Sequence, residues 1–149
     1  MELKTKTMGT VTIEEKQIVD FPKGLFGFEE YHRYAIINGE YEPFFWLQSV
    51  DESGLAFVMV DPFLIVSDYT LDIDDKTLSE IGISSPEDVV LFAILTVPVD
   101  GRAVTANLQG PIVINRKNGK ALQVIVSDSR WTTKYNIIQA LKSKEQTEC

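Results

Sequence analysis

One cysteine, one histidine and few basic residues (14 Lys and Arg against 22 Asp and Glu) are the scarcities that frame this chain of 149 residues. The single cysteine is Cys149, so no disulfide forms within the chain, which fits a reducing cytoplasm. A zinc set needs several clustered donors, and one histidine with one terminal cysteine does not supply it. The formal net charge of −8 repels phosphate backbones and disfavours direct nucleic-acid binding. It suits a basic partner instead. The longest apolar run, Val89 to Leu95, falls far short of the ~20 residues that a membrane span requires. The opening MELKTKTMGT has no apolar stretch of the kind a signal peptide carries.

Catalytic chemistry is equally thin. No serine sits in G-x-S-x-G, and Gly24-Leu25-Phe26-Gly27 matches neither phosphate-loop pattern. That stretch reads as a turn, with Phe21, Leu25, Phe26 and Phe28 packing down around it. Asp72, Asp74 and Asp75 lack the glycine and distal glutamate of a calcium loop, so no metal and no cofactor is expected. The remaining enzymatic or small-ligand alternative uses His32 with a carboxylate such as Asp61, because histidine is the usual acid–base group near neutral pH. Asp61 also reads as a buried carboxylate bonded to its own backbone at a strand end.

What the chain does have is strand. FFWLQSV and LAFVMV flank the loop Asp51-Glu52-Ser53-Gly54. VVLFAILTVPV and RAVTANL flank Asp100-Gly101, and PIVIN and KALQVIV flank a turn with Asn118-Gly119. Three hairpins predict a mainly β, antiparallel fold with one or two short helices. Val89 to Leu95 never alternates, so it is expected at the centre with both faces covered. ELKTKT and TVTIEEKQIV alternate and belong near an edge or a solvated face. Asp74 to Gly82 reads as about two helical turns, capped by an aspartate and ended by glycine. Ser85-Pro86-Glu87-Asp88 reads as a single turn. Tyr135 to Ser143 reads as a terminal helix with Ile137, Ile138 and Leu141 on one face. The expected organisation is one domain over 1–143 and a frayed tail over 144–149.

TANLQGPIVIN, residues 105–115, interrupts two strand-like stretches with Asn107, Gln109, Gly110 and Pro111. Amides do not titrate, so neither Asn107 nor Gln109 serves as an acid or base. The stretch reads as a bend at a sheet corner, with an amide satisfying backbone groups left unpaired there.

FPKGLFGFEEYHRYAII (21–37), PFFWLQSVDESGLAFVMVDPF (43–63), SPEDVVLFAILTVP (85–98), TANLQGPIVIN (105–115) and ALQVIV (121–126) stand in an order that resembles the FliW family of flagellar assembly factors. Trp131 departs from the tyrosine of that pattern, and Tyr135-Asn136 from a more basic pair. The resemblance implies a barrel-like β fold and a non-enzymatic cytoplasmic protein, monomeric when free. It also implies two alternative protein partners. One is flagellin. The other is CsrA, a small basic RNA-binding repressor of flagellin translation, which the protein antagonises when flagellin has been exported. Acids on exposed elements are the natural counterpart of CsrA lysines and arginines, which points to Asp72, Asp74, Asp75, Glu80, Glu87 and Asp88. Aromatic anchors beside turns would be Phe44, Phe45, Phe63 and Tyr69.

Overall fold

The run Val89 to Leu95 is apolar at every position, as expected of a central strand, and β7 (Val89–Thr96), which contains it, is the hub of the sheet. The computed structural model describes residues 1–39, 43–69, 73–97 and 103–137. Around β7 lie β3 (Ile18–Asp20), β4 (Arg33–Asn38), β5 (Phe45–Ser49) and β6 (Ala56–Val60) on one side. On the other lie β8 (Thr105–Ala106), β9 (Ile112–Asn115), β10 (Ala121–Gln123) and β11 (Tyr135–Asn136). The order is β10-β9-β7-β6-β5-β4-β3, with β8 also on β7 and β11 on β8. Every strand pair is antiparallel. The two ends of this path meet at one parallel bridge, Asp20 with Lys120, where Asp20 N donates to Gly119 O at 2.8 Å. The sheet is therefore barrel-like, curled onto itself without a closing ladder. The alternating N-terminal segments form a separate hairpin, β1 (Glu2–Lys4) with β2 (Thr10–Thr12), that lays Leu3 over Ala35.

β5 pairs with β6, β7 with β8 and β9 with β10, as the turn chemistry predicts. The Asp100-Gly101 turn lies outside the described residues. In the β5–β6 hairpin the buried Gln48 amide donates to Ser53 O at 3.1 Å and Leu55 O at 3.2 Å, tying the turn to its strand. The α-helix that lies wholly within the described residues is α1 (Asp75–Glu80), with Asp74 as its cap and Gly82 just beyond it at φ 76°. Ser85 caps a lone 3₁₀ turn, Pro86–Asp88.

Two expectations change. The first two residues of the expected terminal helix, Tyr135-Asn136, are instead strand β11, with Tyr135 opposite Ala106, and helical backbone starts only at Ile137. Helical periodicity is a local signal, whereas the open edge of β8 that recruits these two residues is a distant one. Residues 138–149, including the rest of that segment and the tail, lie outside the described residues. At the glycine turn, Phe21 and Leu25 are buried, but Phe26 and Phe28 are 54% and 37% exposed. Phe28 N donates to Leu25 O at 2.8 Å, so residue 26 sits at the tip of a tight turn, where side chains face water.

Gly24 takes φ 67°, and a Cβ there would lie 2.6 Å from the Glu29 backbone. Exchange of Gly24 for alanine should destabilise by about 2–4 kcal/mol, combining left-handed strain with a clash that the backbone must move to relieve. Gly27 has φ 88° but nothing within 4 Å of a built Cβ. The same exchange there should cost only about 1–2 kcal/mol. Equal losses in urea melts would refute the clash.

The barrel interior is filled by Phe21, Tyr34, Leu47, Met59, Ile112 and their neighbours. Tyr34 is fully buried, edge-on to Phe21 at 5.3 Å, and its hydroxyl has no hydrogen-bond partner among the described residues. Burial, helped by the neighbouring Tyr31, pushes this phenol up to about 12. Burial also raises Tyr69. The folded state thus holds protons that the unfolded chain releases near pH 10. Stability should be flat with respect to these groups below that pH and should fall as pH climbs through 10 toward the raised values. Tyr34→Phe should add about 1 kcal/mol at neutral pH by removing an unsatisfied hydroxyl, and should make the alkaline decline shallower. Urea titrations at pH 7 and pH 11 measure both effects.

Candidate functional site

Although β7 is apolar from Val89 to Leu95, its first half is not fully covered. Phe92, Ala93 and Leu95 are buried, whereas Val89, Val90 and Leu91 are half-buried. They form part of the floor of an open cleft of about 1080 Å³. One wall is the 3₁₀ turn Pro62–Leu64, which follows β6 because proline cannot continue the ladder. The Asp61 carboxylate, half-buried, accepts from Phe63 N at 2.9 Å and fixes that turn. Phe63 and Leu64 are thereby held 42% and 40% exposed, with Phe63 on the cleft wall. The opposite wall is α1, through Asp75, Leu78 and Ser79, with Ile73 just before its cap. Ile83 and Ser84 to Pro86 complete the lining. Ile73 and Leu78 pack on Ile81, Ile83, Val113 and Leu122, which anchors the helix to the outer sheet face.

The charged residues that line the cleft are Asp61 and Asp75, both acidic. A second, smaller cleft of about 500 Å³ lies on the other side of α1 and takes Asp74, Thr77 and Glu80 in its wall. Here Thr77, through its side chain and its backbone N–H, holds the Asp74 carboxyl below its ordinary value. Thr77 N donates to Asp74 Oδ1 at 2.7 Å, which makes Asp74 primarily a helix cap. Glu80 pairs with Lys23 at 3.0 Å.

The structure brings Phe45, Phe63 and Asp75 together in the larger cleft, with Glu87 exposed on the adjoining turn. It separates the others. Asp88 is not on an exposed face: it is 5% exposed and pairs with Lys117 at 3.3 Å. Tyr69 is buried, and its hydroxyl donates to Leu108 O, so it is a core residue. Phe44 is half-buried against that same core. Asp72 lies outside the described residues. His32 and Asp61 are also kept apart. Tyr34 pairs with Ser49 at one end of β5, and Met59 pairs with Phe45 at the other. The strand between them spans on the order of 15 Å, so no acid–base pair forms.

Asn107, Gln109, Gly110 and Pro111 turn the chain from β8 into β9, away from the cleft. Asn107 Oδ1 accepts from Gly110 N at 2.8 Å, and Gln109 O accepts from Val126 N at 2.8 Å. Gln123 Nε2 donates to Gly110 O at 3.0 Å. The corner is thus satisfied by amides, one of them from β10. No local pattern marks Ile73, Leu78 and Ile83 as lining a cleft. The one available signal was the unalternating run 89–91, which admits a face completed from outside.

The FliW protein family model matches residues 2–137. The chain belongs to the FliW family. Flagellar assembly factor FliW of Treponema denticola is 50% identical over 143 residues, covering 96% of this chain and 97% of that protein. The Treponema pallidum protein of the same name is 49% identical over 148 residues, with 99% of each chain covered. A crystal structure of the flagellar assembly factor FliW superposes with a TM-score of 0.83 at 39% identity, covering 92% of this chain and 96% of that one. The mainly β, barrel-like arrangement is thus that of a FliW protein. Among the described residues no helix is long and apolar enough to cross a membrane.

Proposed function

We propose that this chain is a cytoplasmic flagellar assembly factor that works by binding proteins and not by catalysis. It binds flagellin, and when free of flagellin it binds and antagonises CsrA, so that flagellin synthesis follows export. The observation that carries a docking role is the half-covered floor of β7 beneath walls whose charges, among the described residues, are acidic. An apolar floor provides area to bury, and Asp61 and Asp75 favour a cationic partner at the rim. The relatives named flagellar assembly factor supply the biological setting.

The test is calorimetric titration of the free monomer with CsrA, then of the same protein preloaded with flagellin. CsrA binding that vanishes after loading supports the exchange of partners. Simultaneous binding sinks the exchange, and binding of neither sinks the assignment of partners. Asp75→Lys with Glu87→Lys spares the caps Asp74 and Ser85 and should weaken CsrA binding about tenfold while leaving the melting temperature near its original value.

A further inference from the structure

Beyond β10 the chain stays extended. Val124 N donates to Pro111 O at 3.0 Å and Val126 N to Gln109 O at 2.8 Å, so this segment pairs on one side only. At the alternate residues Ile125 and Ser127, neither the backbone N–H nor the C=O has a partner among the described residues. Such an edge is a template for another strand, and proteins commonly block it with lysine, proline or a bulge. ALQVIVS, residues 121–127, contains no charge and no proline. Ile125 is also 65% exposed, more than any other large hydrophobic residue of the described chain. The smaller cleft lies beside it, with Phe26 on its far side and Glu29, Asp74, Glu80 and Lys23 around it. The lysine is already engaged by Glu80 at 3.0 Å, which leaves the rim acidic.

We propose that the Ile125–Ser127 edge captures a short extended segment of another protein by strand addition, the segment alternating apolar and basic residues. Unpaired groups on alternate residues are what an added strand satisfies, whereas a helix has spent its own backbone bonds. An apolar residue would lie between Phe26 and Ile125, and a lysine or arginine would meet the carboxylates. A second copy of this chain is a poor occupant, because two-fold pairing would set the acidic rims against each other. The surface lies across α1 from the β7 cleft and does not depend on what that cleft binds.

The probe is a capped short peptide of alternating lysine and valine, added to the isotope-labelled full chain. Amide exchange is read residue by residue by NMR. Exchange at Ile125 and Ser127 should slow about tenfold near saturation, with residues 89–91 unchanged. A glutamate–valine peptide should give no protection. Ile125→Pro removes the donor where an edge tolerates proline and should abolish binding. Ile125→Lys, which keeps the donor but repels a basic segment, should weaken it without relying on the proline variant to fold. Unprotected amides would overturn the proposal. So would protection that appears without peptide and grows with protein concentration, or circular dichroism showing that the bound peptide is helical.

Discussion

Exchange of Trp131 for alanine should lower the unfolding free energy by about 3–5 kcal/mol, the usual range for truncating a buried aromatic. Trp131 is nearly fully buried, and its ring meets Tyr69 edge-on at 4.8 Å. The Arg130 guanidinium covers its outer face at 4.9 Å from the centroid. The ring also secures a strap. Trp131 N donates to Asp128 O at 3.1 Å, Leu108 N donates to Thr132 O at 2.9 Å, and β11 follows at once. The strap covers Leu108, Ala106 and Val126, a core separate from the barrel interior. A cavity here would both remove buried area and loosen the segment that protects the edge of β8. Thermal melting should move down by on the order of 10 °C for a chain of this size. Trp131→Tyr keeps an aromatic against Tyr69 and should cost less than half as much. A loss below about 1 kcal/mol for alanine would mean that the strap adds little to the cooperative unit.

The second large effect concerns binding. Phe63→Ala should weaken at least one of the two proposed complexes by about 30-fold or more, the size expected when an aromatic anchor of about 2 kcal/mol is lost. Phe63 stands on the wall of the β7 cleft, and the Asp61 cap holds its turn in place. Its ring lies 6.1 Å from Tyr69, so a core contact pre-positions it. A partner that covers its exposed part would bury it without a large ordering cost. The same substitution should cost the free protein about 1 kcal/mol or less, because much of the ring already faces water. Calorimetry on the folded variant separates the two effects. Unchanged affinity for both CsrA and flagellin would remove the β7 cleft from the interface while leaving the family assignment untouched.

Turn chemistry and strand pattern were the legible part of this chain. Asn118-Gly119, the Asp51–Gly54 loop and the Asp74 cap are local features, and each acts through the few residues beside it. So does the bend at Asn107–Pro111, where Gly110-Pro111 cannot continue a ladder. The groove was hidden, because Ile73, Leu78 and Ile83 look like ordinary core residues until α1 is set beside Phe63. The acids could not be sorted either. Asp74, Asp75 and Asp88 lie close together in sequence, yet one caps a helix, one lines a cleft, and one is buried against Lys117.

The sequence by itself determined that this is an antiparallel β protein with a non-alternating central strand, acidic and free of internal disulfides, because those properties follow from period, composition and turn residues. Tertiary structure alone decided that β7 is left half-covered, that Tyr135-Asn136 joins the sheet, and that the edge after β10 has no strand partner among the described residues. Burial and strand partnership are properties of what other segments bring alongside, and no local pattern encodes which neighbour arrives or which is missing.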